Sequence, residues 1–587
     1  MEIRNDNTNG SRNGCYLFND TYSGLFYKVL KKEGCETMGK IRGLKKPINI
    51  WGILSFIFIL LIVIPNVNIF IKLFQAPNEN WTHIKEYLLK DFVINSTVLI
   101  FFTGLFTIIL GTSLAWMISV YQFPFRNFLK WALVLPLAIP AYIGAYTYHG
   151  ILKYTGVFQS FLRNSFNISV NQKYFNIMSM EGAIFVFTIF LFPYVYLITK
   201  SFLEKQSSAL IENAIVLGRS YTEIFFMIVL PISRVSIVGG VSLVILEVLN
   251  DYGVVKYFGV QTFSTAIFKT WFSMGDLESS IRLSAILMMM VVSILVFEHF
   301  LRGRRKYSFT TTKIRPLKLI ELKGIKKVLA SIYGVTIFSF GFLIPLIQLL
   351  YWASITYKTI LSYKFIILLG NSLLVAAYSS VIIIIVALII SNYCRINNSF
   401  ISKIYSRITM IGYSIPGAVI SIGVIVFFVS LDNKLFWLYK IINPNTGKLV
   451  LSTSIIMLIF AYIVRFLAIG YNPIEAGYEK VGLKFFEASR MLGMGITETF
   501  LKVDFKMIKS AVISAFLLVF VDVLKELPLT LILRPFNFNT LATKSFEYAN
   551  DEMVQEAAIS SLIIIIISTI LIYFFYKLGD REEKNVG

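Results

Sequence analysis

Cysteine and histidine are nearly missing from this chain, with three of each in 587 residues. Cys15, Cys35 and Cys394 share no ligand spacing, so neither a disulfide framework nor a cysteine-bound metal is indicated. His83, His149 and His299 are scattered over separate segments, and no metal site is assigned to them. Charge is scarce as well, at 15% of residues against 56% hydrophobic, which excludes an ordinary soluble chain of mixed domains. A phosphate-cradling loop is absent: the only Gly-Lys pairs, Gly39-Lys40 and Gly447-Lys448, are followed by Ile and Leu rather than Ser or Thr. There is no clustered set of nucleophile, base and metal ligands, so an enzyme is not expected. Residues 1–46 lack an apolar core followed by a small-residue cleavage site; they read as a polar cytoplasmic tail rather than a cleaved signal peptide.

What is there is apolar length. Runs near residues 50–72, 92–120, 128–150, 182–201, 222–249, 281–301, 328–352, 366–392, 404–431, 450–471, 508–533 and 555–578 each reach the ~20 residues that cross a hydrocarbon core. The spacing predicts an all-α polytopic membrane protein with about twelve transmembrane helices. The formal charge of +22 suggests nucleic acid until topology is considered. With both termini inside, the basic segments, above all Arg302 to Lys327, fall together on the cytoplasmic side, as insertion requires. No nucleic-acid partner is therefore expected; the bilayer is.

The chain repeats itself. Asn95-Ser96 recurs as Asn371-Ser372, and Pro140 as Pro416, each pair 276 positions apart. A charged interruption from Glu212 to Pro231 recurs from Glu487, with Gly218 matched by Gly493 and Glu223 by Glu498, 275 positions apart. Each interruption reads as a short amphipathic helix on the membrane surface, and its glycine supplies the turn into the next span. The expected organisation is a tail (1–46), a first half (47–301), a basic cytoplasmic linker (302–327), a second half (328–579) and a short cytoplasmic tail (580–587). Six spans in each half make the two repeats parallel, related by an axis along the membrane normal, with the solute path on that axis. Pro136, Pro140, Pro193 and Pro416 are expected to kink or loosen their spans, either as hinges or as tolerated prolines.

Carboxylates at membrane depth are the other candidates. Glu247 and Asp522 lie in the last turns of apolar spans, with Asp251 and Glu526 at the outer ends. Ionisable groups there usually face a bundle interior or a watery path. Two roles stay open: lining a pathway or gate, or forming ion pairs with Lys525 and Arg534 nearby that steady the halves.

The interruption resembles the signature of the inner-membrane permeases of binding-protein-dependent ABC importers: Glu-Ala-Ala, three residues, Gly, nine residues, then Ile-x-Leu-Pro. The first copy supplies Glu212, Ala214, Gly218, Ile228, Leu230 and Pro231, with Asn213 for the middle Ala. The second supplies Glu487, Ala488 and Gly493, with Ser489 for the last Ala and Val503, Phe505 and Lys506 in place of Ile, Leu and Pro. Leu249-Asn250-Asp251-Tyr252-Gly253, Thr262 to Phe268 and Lys525-Glu526-Leu527-Pro528 through Thr543 look like the ferric-iron subfamily with two fused halves.

The resemblance covers about Trp51 to Lys577 and implies a type I importer fold in a bacterial inner membrane. It also implies two copies of a cytoplasmic ABC ATPase, one on each short helix, with ATP and Mg on that partner and no cofactor on this chain. An extracytoplasmic binding protein would deliver iron(III), passed inward by alternating access. Thiamine, phosphonate or polyamine permeases of the same type remain alternatives. So does an ion-coupled secondary transporter, which would need no ATPase and would leave the paired interruptions unexplained.

Overall fold

In lipid every backbone amide and carbonyl must find its partner within its own segment, and runs of Ile, Leu, Val and Phe with few charges satisfy that as helices. The computed structural model describes residues 50–73, 76–168, 171–204, 209–302, 319–397 and 399–586. The tail 1–46 with Cys15 and Cys35, and linker residues 303–318, lie outside the described residues.

The principal helices of the first half are α1 (Ile50–Leu73), α2 (Leu89–Val120), α3 (Arg126–Ala132), α4 (Ala141–Leu152), α5 (Val157–Phe166), α6 (Met180–Glu204), α7 (Ala209–Val216), α8 (Tyr221–Ile224), α9 (Leu230–Asn250), α10 (Gly253–Tyr257), α11 (Phe263–Phe272) and α12 (Leu277–Arg302). The second half runs α13 (Ile325–Phe338), α14 (Ile344–Ile360), α15 (Tyr363–Ile396), α16 (Phe400–Ile411), α17 (Gly417–Ile442), α18 (Ile455–Val481), α19 (Lys484–Met491), α20 (Ile496–Thr499), α21 (Lys509–Lys525), α22 (Pro528–Leu533), α23 (Leu541–Asn550) and α24 (Ala557–Val586). Among the described residues ten helices are long and apolar enough to cross a membrane, or twelve if two bent pairs each count as one span. Leu54–Gly587 forms one unit.

The bends mark where the apolar runs mislead. The run 128–150 is not one rod: its two arms meet at 92° between Ala138 and Ala141. Pro136 lies in a 3-10 turn and Pro140 caps α4. Pro416 caps α17 in the same way, so the run 404–431 is split between α16 and α17. Proline's missing N–H costs nothing at a helix start, which is why both breaks fall there. Pro193, by contrast, does not interrupt its span and sits inside an unbroken α6. The run 508–533 ends early, because α21 stops at Lys525 and α22 begins at Pro528.

Helices α2, α6 and α9 form the inner bundle of the first half, and α15, α18 and α21 repeat it in the second. Small residues let the first bundle close. A Cβ on Gly111 would lie 2.7 Å from Val195, and one on Gly240 2.8 Å from it, so α2 and α9 clasp α6 at near-backbone contact. The halves interlock: α4 of the first packs on α14 and α23 of the second, and α12 packs on α17. Buried Tyr146 shares a hydrogen bond with Ser545, 2.7 Å, across that seam.

The repeated Asn-Ser pairs now have a cause. Ser96 Oγ accepts from the Phe263 amide at the start of α11 (3.4 Å), and Ser372 Oγ accepts from the Leu541 amide at the start of α23 (2.8 Å). Each serine satisfies an orphan donor at a buried helix end; Thr262 and Thr540 hold the N-cap positions there, and Thr540 Oγ1 also accepts from the Thr543 amide (3.3 Å).

Candidate functional site

The two interruptions fold as elbows with the same hydrogen bonds. After α7, Gly218 has φ +78°, Arg219 N donates to Ala214 O (3.1 Å) and Gly218 N to Ile215 O (2.9 Å). After α19, Gly493 has φ +85°, Met494 N donates to Ser489 O (3.2 Å) and Gly493 N to Arg490 O (3.1 Å). A left-handed residue that returns the last amides to the helix is a Schellman stop, and a side chain there adds strain. The chain then re-enters a short helix, where Glu223 and Glu498 occupy the first turn. Glu223 accepts from Ser220 N (2.9 Å) in a capping box, and Glu498 pairs with Lys502 (2.7 Å). Both second arms continue through one turn of π-helix, Phe225–Val229 and Phe500–Asp504.

Each elbow presents one face inward and one outward. Ala214 and Ser489, equivalent by position, are buried, while Glu212, Glu487 and Ala488 are exposed. The tips are apolar and uncovered: Val216 is 85% and Leu217 80% exposed, and the matching Met491 and Leu492 are 89% and 84% exposed. Large apolar side chains this bare stand at matched positions in the two copies.

The second site is a cavity of about 100 Å³ between the halves, at the far ends of α9 and α21 from the elbows. Glu247, Asp251, Asp522 and Glu526 all line it, so the structure brings together the four carboxylates picked out in the sequence. Their partners differ. Asp251 accepts from the Val254 amide of α10 (2.8 Å), and Glu526 from the Leu529 amide of α22 (3.0 Å), so these two cap equivalent short helices. Asp522 pairs with Lys525 at 2.6 Å. Glu247 accepts from Tyr413 Oη, which reaches it from the other half. Arg534 is elsewhere, paired with Glu547 at 2.7 Å.

Three lining residues escaped sequence reasoning. Asn250 Oδ1 accepts from the Gly417 amide (2.6 Å) and from Arg465 Nη1 (2.7 Å), and Arg465 also lies 3.4 Å from Glu526. Arg465 is 3% exposed, and the signal for it existed: it is the only charge in the stretch Ile455–Gly470. Tyr413 carried no signal, since its hydroxyl gains meaning only from the Glu247 it meets. The cavity thus holds four carboxyl groups against two cations, Arg465 and Lys525. Among the described residues, no three of His, Cys, Asp and Glu converge closely enough to hold a metal ion.

Residues 379–584, from the middle of α15 through most of α24, match the family described as binding-protein-dependent transport system inner membrane component. The Fe(3+)-transport system permease protein FbpB 2 of Haemophilus influenzae is 24% identical over 468 residues, 79% of this chain and 85% of that protein. The second half thus carries the binding-protein-dependent inner-membrane permease domain, and most of the chain is similar to such a permease. Shorter matches join it to other members: the spermidine/putrescine permease PotB of H. influenzae, 25% identical over 32% of this chain and 64% of that protein, and the sulfate permease CysT of Escherichia coli, 25% identical over 35% and 72%. The permease is a multi-pass inner-membrane protein of an ABC-type transporter, a class that works with an ATPase and a binding protein. Its family match includes the second elbow, although Val503, Phe505 and Lys506 replace the Ile, Leu and Pro of the signature.

Proposed function

We propose that the permease carries iron(III) from an extracytoplasmic binding protein to the cytoplasm, through the cavity between its halves. The observation that carries this reading is the excess of carboxyl groups over cations there, which favours a cation over an anion such as sulfate. A cavity of about 100 Å³ suits a compact solute. A polyamine, though cationic, is far longer. The relation to the Fe(3+) permease runs through both halves, whereas the polyamine and sulfate relatives match about a third of the chain.

Two copies of a cytoplasmic ATPase, carrying the ATP and Mg, dock on α7 and α19. Val216 and Leu217, with Met491 and Leu492, enter apolar grooves of the ATPase, and Glu212 and Glu487 meet basic residues at the rim. Closure of the ATPase pair draws the elbows together and opens the opposite face, where a second cavity of about 550 Å³, lined by Glu547 and Asp551 as well as Lys256, Lys269 and Arg534, receives the solute. Both termini are cytoplasmic, as the basic connections require.

Uptake by proteoliposomes containing permease, ATPase and binding protein tests the reading. Iron(III) should accumulate with ATP present, spermidine and thiamine should not, and native mass measurement should find two ATPase copies per permease. Uptake that persists without ATP and collapses with the proton gradient would instead place the permease among ion-coupled carriers.

A further inference from the structure

The two elbows are fastened to their bundles by different chemistry. In the first half the four matched positions at the root of the elbow are Ser119, Leu203, Ile211 and Val229, all buried and without charge. In the second half the same positions hold Arg395 of α15, Tyr478 of α18, Phe486 of α19 and Asp504 of the π-turn. Arg395 Nη2 donates to Asp504 Oδ2 at 2.5 Å, with the two side chains 9% and 1% exposed. The guanidinium also lies 4.2 Å from the Tyr478 ring centroid and 5.5 Å from that of Phe486. One side chain of the bundle therefore grips both arms of the elbow and the span that leads into it.

The sequence shows what this grip replaces. The first copy has Pro231 at the start of α9, fixing the backbone as it leaves the π-turn; the second has Lys506 at the matching position. Apolar contact is non-directional and lets surfaces slide, whereas a charge-assisted bond between buried groups holds one distance and one angle. Asp504 stands where the first copy has Val229, so the directional bond appears only in the copy that lost the proline.

We propose that Arg395 and Asp504 are positioning residues that transmit movement of the second elbow into α15, a task the first half performs through apolar packing and Pro231. The inference rests on the reading of α7 and α19 as ATPase contacts. In the reconstituted full complex, solute moved per ATP hydrolysed should fall at least tenfold in Asp504→Asn, which keeps shape and removes charge. The apolar pair Arg395→Leu with Asp504→Leu should behave alike, with the ATPase still co-purifying and still hydrolysing ATP. Arg395→Lys, which keeps the charge, should retain at least half the ratio. A wild-type ratio in Asp504→Asn would overturn the proposal. Glu487→Lys separates the two readings: if it lowers the ratio and Asp504→Asn does not, only the positioning role is lost, whereas a wild-type ratio in Glu487→Lys would remove the ATPase contact itself.

Discussion

At the scale of single residues, identity and partner have to be read together. The four carboxylates of the central cavity look alike in the sequence, each near the end of an apolar run. In the structure Asp251 and Glu526 are committed to the amides of α10 and α22, while Glu247 and Asp522 are held by side chains, Tyr413 and Lys525. A backbone cap is a fixed bond of the fold; a side-chain partner can rotate away and leave the carboxylate to a passing cation. Glu247→Gln together with Asp522→Asn is therefore expected to abolish iron(III) uptake in proteoliposomes while the complex still assembles, and unchanged uptake would exclude them from the path. Gly218 and Gly493 were legible in advance, because a residue at positive φ has few alternatives to glycine. Tyr413 and Asn250 were not, because their importance comes from groups more than 160 positions away.

At the scale of elements, the lengths of the apolar runs located the helices, and the prolines located two of the breaks. The magnitude of those breaks, 92° before α4, was not legible, since a proline allows a bend and its neighbours set the angle. An acid outside the spans takes its role from the fold. Asp276, just before α12, is 8% exposed and accepts from Asn78 (2.8 Å), Asn80 (3.1 Å), Ser279 Oγ (2.6 Å) and Ser279 N (3.1 Å). It pins the segment before α2 to the start of α12. Burial pushes its carboxyl up, but the donors of Ser279, Asn78 and Asn80 outweigh burial and hold it below the ordinary carboxylate range. Because the folded value is depressed, this contribution is complete above the unfolded value of about 3.9 and fades as pH falls through the folded one. Asp276→Asn should thus lower thermal stability at pH 7 by about 1 kcal/mol, with the gap to wild type closing below about pH 4 in melting curves.

At the scale of the whole molecule, the two halves form one machine because their buried polar groups are shared. Arg465 of the second half holds Asn250 of the first and Glu526 of its own. Removing one member of such a set strands the others, so Arg465→Leu should cost roughly 3–5 kcal/mol in thermal unfolding, and Arg465→Leu with Glu526→Leu should cost less. Equal losses would mean that the arginine is packed rather than paired.

The sequence by itself determined the helical class, the two parallel repeats, the paired elbows and the family resemblance, since all of these depend on local composition or on spacing that survives in one dimension. Only the tertiary structure decided which carboxylate caps a helix and which faces an open partner, that Arg465 joins the halves, and that the second elbow hangs on Arg395. Arg465 with Asn250 and Arg395 with Asp504 are pairs 100 or more positions apart on different helices, and even the caps three positions away turn on distance and angle, from which hydrogen bonds and buried charges take their energy and which a linear pattern does not contain.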